Sequence, residues 1–426
     1  MRATLTLKQP VAIKPPVAPT APLAQPFGPA QAPWIRPGVV VHEASTLVDA
    51  LLAKFARAIR ERGFTVTGCV RCAEGGQLLD LANDQRIAFD PTTESTAVAE
   101  RMRAAMRDDA DLVAISHFSA MERASRQLMA SVNEGTAQGM PVLTSIPGEE
   151  IHTWLEFAGQ DGAIMAPNMK ALWRWWGPER LYRDLSLGVA EDEVRQIACG
   201  QRWIMVEGPY GAGLAYLPRY PKDLLPRLPS LARQSLKSLA RLSSSWDPVE
   251  MALGIAAINA HYNRTDLAGR MGNGADLFKE EQGRVVAVGA FPGLSSVLPN
   301  CSVIETDPRP GEYPTVAMDS LLPGCAAAVV NSSTLINRNL PRILRAALGS
   351  RVALVGPSTP MTERLHHYGV EILGGLVVKD PKGLAAMVKG GGTPREFGQF
   401  GQYLHLRQQD TVHKPCRFRA SEGAAS

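Results

Sequence analysis

The sequence predicts an α/β protein built as three consecutive units, and three observations carry that prediction. From Val285 to Val355 four short apolar runs each break into a loop of Gly, Pro, Ser, Asn or acidic residues: VVAVGAFPGL, CSVIETDPRPGEYP, CAAAVVNSSTLINRNL and RVALVGPSTPMTERL. That rhythm of strand, loop and helix start belongs to an open parallel sheet. A similar alternation fills residues 39–157, and between the two lies a stretch in which a hairpin is followed by helices. With 426 residues and 45% hydrophobic side chains, the chain can bury several cores.

The formal charge of +4 is confined to the N-terminus. Residues 1–38 contain Arg2, Lys8, Lys14 and Arg36 without an acid, so the remainder is formally neutral. A nucleic-acid partner is therefore not expected, because it would need excess Lys and Arg to displace counterions. No apolar run is long enough to cross a bilayer, and six scattered cysteines suit a reduced, cytoplasmic protein. The first 38 residues also hold nine prolines and read as a disordered arm.

In the first unit (39–165), VVV begins a strand, and Leu47, Val48, Leu51, Leu52, Phe55 and Ile59 recur on one helical stripe that ends near Gly63. FTVTGCV, a hairpin in LLDLANDQRIAFD, DLVAIS and PVLTSI read as further strands, with helices over 96–106 and around Leu128. GFTVTGCV, DADLVAISHF, GMPVLTSI and TWLEFAG resemble a nucleoside-triphosphatase-like family of uncharacterised bacterial proteins, some encoded beside molybdate uptake systems. The resemblance implies a degenerate P-loop-like domain. The phosphate-loop position reads HEASTLVDA, without the Gly and Lys that wrap phosphates, and DLVAIS ends in Ser116-His117 without an acid for magnesium. An ATP site is not expected.

Trp173, Trp175, Trp176 and Tyr182 crowd the next segment and read as a domain junction. In the second unit (180–265), RWIMVEG and GLAYLP flank the turn Gly208–Gly211, and Asp247-Pro248 opens the helix MALGIAAINAHYN. Gly254, Ala256 and Ala257 make that helix thin enough to lie on a sheet. The third unit (280–395) is the parallel sheet, closed by a helix PMTERLHHYG, the strand GGLVV and the helix DPKGLAAMV, with 396–426 a tail.

GLAY (213–216), LGIAAINA (253–260), VVAVGAFPG (285–293), VIETDP (303–308), VVNSSTLIN (329–337) and VALVGPSTP (352–360) together resemble the heavy-metal-chelation domain family. The resemblance implies a small α+β enolase-N-terminal-like domain followed by a Rossmann-like domain, with a cleft between them.

Ligands of parallel sheets sit beyond the carboxyl ends of the strands, which places Phe291, Glu305, Asp307, Asn331 and Gly356 at a site. Glu305 and Asp307 are placed to receive hydroxyls or a hard cation. The loop Gly289–Gly293 lacks the dinucleotide glycine pattern, and Pro292 removes an amide, so an NAD site is not expected. Asn331-Ser332-Ser333-Thr334 and Gly356-Pro357-Ser358-Thr359 read as two helix-start turns able to hold an oxyanion; plain N-capping, with Thr359 as cap before Pro360, explains them equally. Asn337 adds an amide within its helix, and Asn259 an amide from the opposite wall. Soft-metal signals are thin. Cys69 and Cys72 point to opposite faces if extended, His366-His367 read as solvated, and His117 and His152 lack a paired ligand motif.

The expected function is metal or metallocofactor handling: binding of a small anionic ligand or metal chelate, or an oxyanion such as molybdate, between the second and third units. The molybdenum link rests on the first-unit resemblance. Two alternatives are an enzyme using a nucleotide-like cofactor such as S-adenosylmethionine, and a scaffold for metallocofactor-assembly proteins. A homo-oligomer is compatible with all three.

Overall fold

The computed structural model describes residues 36–43, 45–72, 76–88, 110–117, 140–158 and 162–411. The N-terminal arm to residue 35 and the helices expected over 96–106 and near Leu128 lie outside the described residues.

The first sheet contains β1 (Gly38–His42), β2 (Val66–Arg71), β3 (Gln77–Asp80), β4 (Arg86–Ala88), β5 (Leu112–Ile115), β6 (Val142–Pro147) and β7 (Ala163–Met165), ordered β4-β3-β2-β5-β6-β1-β7. From β2 to β7 the neighbours are parallel, and β3 and β4 form the antiparallel hairpin read from the sequence. Helix α1 (Ser45–Glu61) buries Val48, Leu52, Phe55 and Ile59 against one face. Leu47, expected on that stripe, is exposed. Helix α2 (Ile151–Ala158) packs Trp154 against the other face, with Val39 and Val113.

Next come α3 (Met169–Trp176) and α4 (Leu181–Leu187). Trp173, Trp176 and Tyr182 are buried, as expected of a junction. Trp176 meets Phe55 and Phe64 edge-on, while Trp173 meets Tyr368 from the distant third unit. Such edge-to-face contacts add to the area buried.

The second unit is a three-stranded antiparallel sheet of β8 (Gln196–Cys199), β9 (Trp203–Glu207) and β10 (Ala212–Tyr216), followed by α5 (Leu236–Ala240) and α6 (Pro248–Tyr262). Asp247 caps α6 by accepting from the amides of Val249 and Glu250, with Pro248 at the first position. Ala256 lies against the sheet as its size suggested, whereas Gly254 faces the backbone of Leu242 and Ser243 instead. A Cβ on Gly213 of β10 would come within 2.3 Å of the backbone of Ala256 and Ala260, so strand and helix touch backbone to backbone.

The third sheet is ordered β11-β18-β17-β16-β15-β12-β13-β14: β11 (Arg270–Met271), β12 (Val285–Val288), β13 (Ser302–Glu305), β14 (Tyr313–Pro314), β15 (Ala327–Asn331), β16 (Arg351–Val355), β17 (Ile372–Val378) and β18 (Gly401–Arg407). Strands β12 to β17 run parallel, as the sequence rhythm predicts. The tail expected from residue 396 is corrected: β18 pairs antiparallel along the whole of β17, because its inward side chain Leu404 joins the core. The helix expected at PMTERLHHYG is a 3-10 turn over Glu363–Tyr368, and His366 within it is buried, its Nδ1 2.7 Å from the Val370 carbonyl. Helix α7 (Ser333–Ile336) follows β15, and α8 (Pro381–Lys389) follows β17, capped by Asp380.

Candidate functional site

In the third sheet β12 is followed by β13 on one side, and the chain then crosses to β15 on the other side. The crevice beyond the carboxyl ends of β12 and β15 is therefore the topological switch point, where open α/β sheets place ligands. Gly289 closes β12 and takes φ +81. A Cβ there would lie 2.7 Å from the Asn331 Cβ, so only glycine lets the two loops approach this closely.

Asn331 bridges the two loops. Its Nδ2 donates to the Ala290 carbonyl at 2.9 Å, and its Oδ1 accepts from the Ser333 amide at 3.0 Å. Glu305, at the end of β13, accepts from the Ala290 amide at 2.5 Å and from the Thr306 amide at 3.2 Å. The loop after β12 is thus held from both sides by side chains of its neighbours. Through Oε1 the acid anchors the loop after β12, while Oε2 accepts from the amide that follows it in the chain. Around the crevice mouth, Thr306 and Asp307 are exposed, and Phe291 and Ser333 are half-buried.

The other expected residues lie elsewhere. Ser332 and Ser358 are buried: the Ser332 hydroxyl accepts from the Ser358 amide at 3.2 Å, and the Ser358 hydroxyl accepts from the Tyr216 amide at 3.1 Å. Asn259 is fully buried and donates to the Leu214 carbonyl at 2.8 Å. Its neighbour Asn263 donates to the Thr359 carbonyl at 3.0 Å and accepts from the Met361 amide at 2.9 Å. Ser358 and Asn263 thus staple the second unit to the third, while Asn259 ties α6 to β10 and Ser332 holds the Ser358 loop. Backbone groups buried there must be paired, and the Ser and Asn side chains pair them.

Thr359 caps no helix; Thr362 caps the 3-10 turn instead, and Pro357 and Thr359 are buried in the connecting loop while Gly356, at φ +131, backs onto the Ser332 hydroxyl. The pair of helix-start turns thus reduces to one, at Asn331–Ser333. Asn337 is exposed at the end of α7, accepting from the Asn339 amide.

A second polar cluster, at the joint of all three units, was not legible. Asp184 of α4 is fully buried between the guanidinium groups of Arg62 and Arg364 and accepts from the Tyr368 hydroxyl at 2.8 Å. His367, expected to be solvated, stacks at a tilt on Trp173 and accepts from Arg62 through Nδ1 at 2.7 Å. Burial of the ring and the neighbouring Arg62 charge push its pKa down to about 4. Cys69 is buried in β2, where burial and then Asp80 push its thiol up to about 12. His152 is exposed on α2. His117 is buried beside Asp49 and His42, which lie far from it in sequence. Among the described residues, no group of three His, Cys, Asp or Glu side chains is arranged to hold a metal ion, and no helix is long and apolar enough to cross a membrane.

Comparisons with known proteins divide the chain as the sheets do. Residues 38–175 match a family described as a protein of unknown function. Residues 182–262 and 274–407 match two models that share the description "Putative heavy-metal chelation". The molybdenum import ATP-binding protein ModC 2 of Bradyrhizobium diazoefficiens is 27% identical over 161 residues, covering 33% of this chain and 18% of that protein, so the chain spans under a fifth of that relative. Two solved proteins of unknown function from the DUF364 family align with 54% of this chain and 98% of their own. The one from Desulfitobacterium hafniense is 27% identical with a TM-score of 0.49, and the one from Pyrococcus horikoshii is 20% identical with a TM-score of 0.45. Residues 182–407 are thus similar to two models sharing the heavy-metal-chelation description, and residues 38–175 to a family without assigned function.

Proposed function

We propose that this protein handles a metal in the form of a small chelate or oxyanion, bound at the β12/β15 switch point of the third sheet. The observation that supports the reading is a fixed loop at the strand ends: Asn331 and Glu305 hold the loop Gly289–Gly293, and Ser333, Thr306 and Asp307 stand beside it as donors and acceptors. The match of both C-terminal domains to a heavy-metal-chelation description supports the metal. Oxygen donors, a hydroxyl and backbone amides favour a hard cation within a chelate, or an oxyanion such as molybdate, over a bare soft ion that would need thiolates.

Equilibrium dialysis of the purified chain against molybdate, tungstate and divalent metal citrates, with elemental analysis of the retained metal, tests the reading. The Ser333→Ala, Asp307→Asn double variant is expected to lose affinity at least tenfold. Absence of any retained metal or oxyanion from the wild-type chain would refute it.

A further inference from the structure

The first sheet has its own switch point, and the side chains gathered there are unlike those of the third. Strand β1 connects to β2 through α1 on one face, where Leu52 and Phe55 pack with Val40 and Ala114. Its parallel neighbour β6 connects towards β7 through α2 on the opposite face, where Trp154 packs with Val39 and Val113. Adjacent strands whose helices leave to opposite faces open a crevice beyond their carboxyl ends.

His42 is the last residue of β1, Asp49 lies just beyond the first turn of α1, and His117 follows the end of β5; all three are buried. His117 is held at φ +55, a left-handed conformation uncommon for a residue other than glycine, by its amide donating to the Ser145 hydroxyl of β6 at 2.9 Å. That backbone sets the ring so that Nε2 lies 3.1 Å from Asp49 Oδ2. The His42 and His117 rings stand perpendicular with centroids 5.6 Å apart. The second oxygen of Asp49 is buried without a hydrogen-bond partner.

The charge and donor types select the ligand class. A buried carboxylate with one oxygen unpaired disfavours an anion and favours a cation nearby. Imidazole nitrogens suit divalent first-row ions, and a metal-bound histidine usually gives its other N–H to a carboxylate, the role Asp49 plays for His117. Two rings bound to one ion at the usual Zn–N length of about 2.0–2.1 Å have centroids roughly 5–6 Å apart, which the observed spacing meets. We propose that His42 and His117, with Asp49 orienting His117, form a site for a divalent transition-metal ion at the β1/β6 switch point. No third His, Cys, Asp or Glu closes the set among the described residues. Water completes the coordination, so the ion is exchangeable. The site is independent of the third-sheet crevice.

Titration of the untagged full chain with cobalt(II), followed by its visible absorption and by calorimetry with zinc(II) in competition, tests this. One cobalt per chain is expected. His42→Ala removes binding, and so does His117→Asn, chosen because asparagine tolerates a positive φ and keeps the fold. Asp49→Asn weakens binding about 10–100-fold. The Ser333→Ala, Asp307→Asn variant binds cobalt as the wild type does, which separates this site from the third-sheet crevice. No cobalt uptake by the wild type overturns the proposal. So does undiminished uptake by a His117→Asn protein with wild-type circular dichroism, or loss of uptake in the third-sheet variant alone.

Discussion

The Tyr368 hydroxyl donates to the Asp184 carboxylate at 2.8 Å, joining the 3-10 turn of the third unit to the helix that leads into the second. Arg62, at the end of α1 in the first unit, and Arg364 complete the coordination of the same carboxylate. One fully buried acid therefore ties three units together. Replacing it with alanine leaves two guanidinium groups in a desolvated joint without their counter-charge. Asp184→Ala is expected to cost about 3–5 kcal/mol in urea denaturation, while Tyr368→Phe costs about 1 kcal/mol. Equal, small losses for both would show that the pair is not the joint's main electrostatic link.

Ser332 separates a structural from a ligand-binding role. Its hydroxyl accepts from the buried Ser358 amide, so Ser332→Ala leaves that amide unpaired and should lower stability by about 1–3 kcal/mol. Metal or oxyanion affinity at the crevice should not change. A fall in affinity without a fall in stability would return Ser332 to the binding surface.

Gly213 faces the backbone of α6, with no flexible side chain able to yield. Gly213→Ala must push strand and helix apart. The cost should reach or exceed the upper end of the about 1–3 kcal/mol typical of overpacking, read as a lowered melting temperature. A melting temperature equal to the wild type's would mean that β10 and α6 are not in backbone contact.

His367 makes the three-unit joint acid-sensitive. Its folded pKa, about 4, lies below the unfolded value of about 6.5. A depressed pKa contributes stability that is present above about 6.5 and is lost as pH falls towards 4. The drop in unfolding free energy over that window should be smaller in His367→Gln than in the wild type. Identical pH profiles would remove His367 from the linkage.

Cys69 acts at the other end of the pH scale. Its thiol is raised from about 9 to about 12 by burial, so its contribution is intact below 9 and declines as pH rises through 12. At pH 8 the native chain should leave Cys69 unalkylated by iodoacetamide, and the thiol should react once the chain is unfolded. Rapid labelling of Cys69 in the native state would contradict its burial.

Strands β12, β13, β15, β16 and β17 of the C-terminal sheet were legible because each is a short apolar run bounded by breakers, as a strand in a covered parallel sheet needs. The Asp247-Pro248 helix start was legible for a similarly local reason, since a cap and its first turn are neighbours in sequence. Strand β18 was missed because GQYLHLR alternates weakly and reads as polar. It is fixed as a strand by the length of β17 that it covers. Asn259, Ser358 and Thr359, read from the sequence as lining a cleft, are buried for a different reason. A polar side chain such as Ser358 serves a ligand or a buried backbone amide equally well, and only the packing of the second unit on the third decides which.

The sequence by itself determined the α/β fold class and the two loops, at Gly289–Gly293 and after Asn331, that follow β12 and β15. Periodicity and turn chemistry are local, so one chain is enough to read them. Tertiary structure alone decided that Asp184 locks the three units together. It also decided that His117 meets Asp49, 68 residues away, beyond the carboxyl ends of the first sheet. Those groupings depend on strand order and crossover side, which place residues remote in the chain within a hydrogen bond of one another and leave no periodic trace in the sequence.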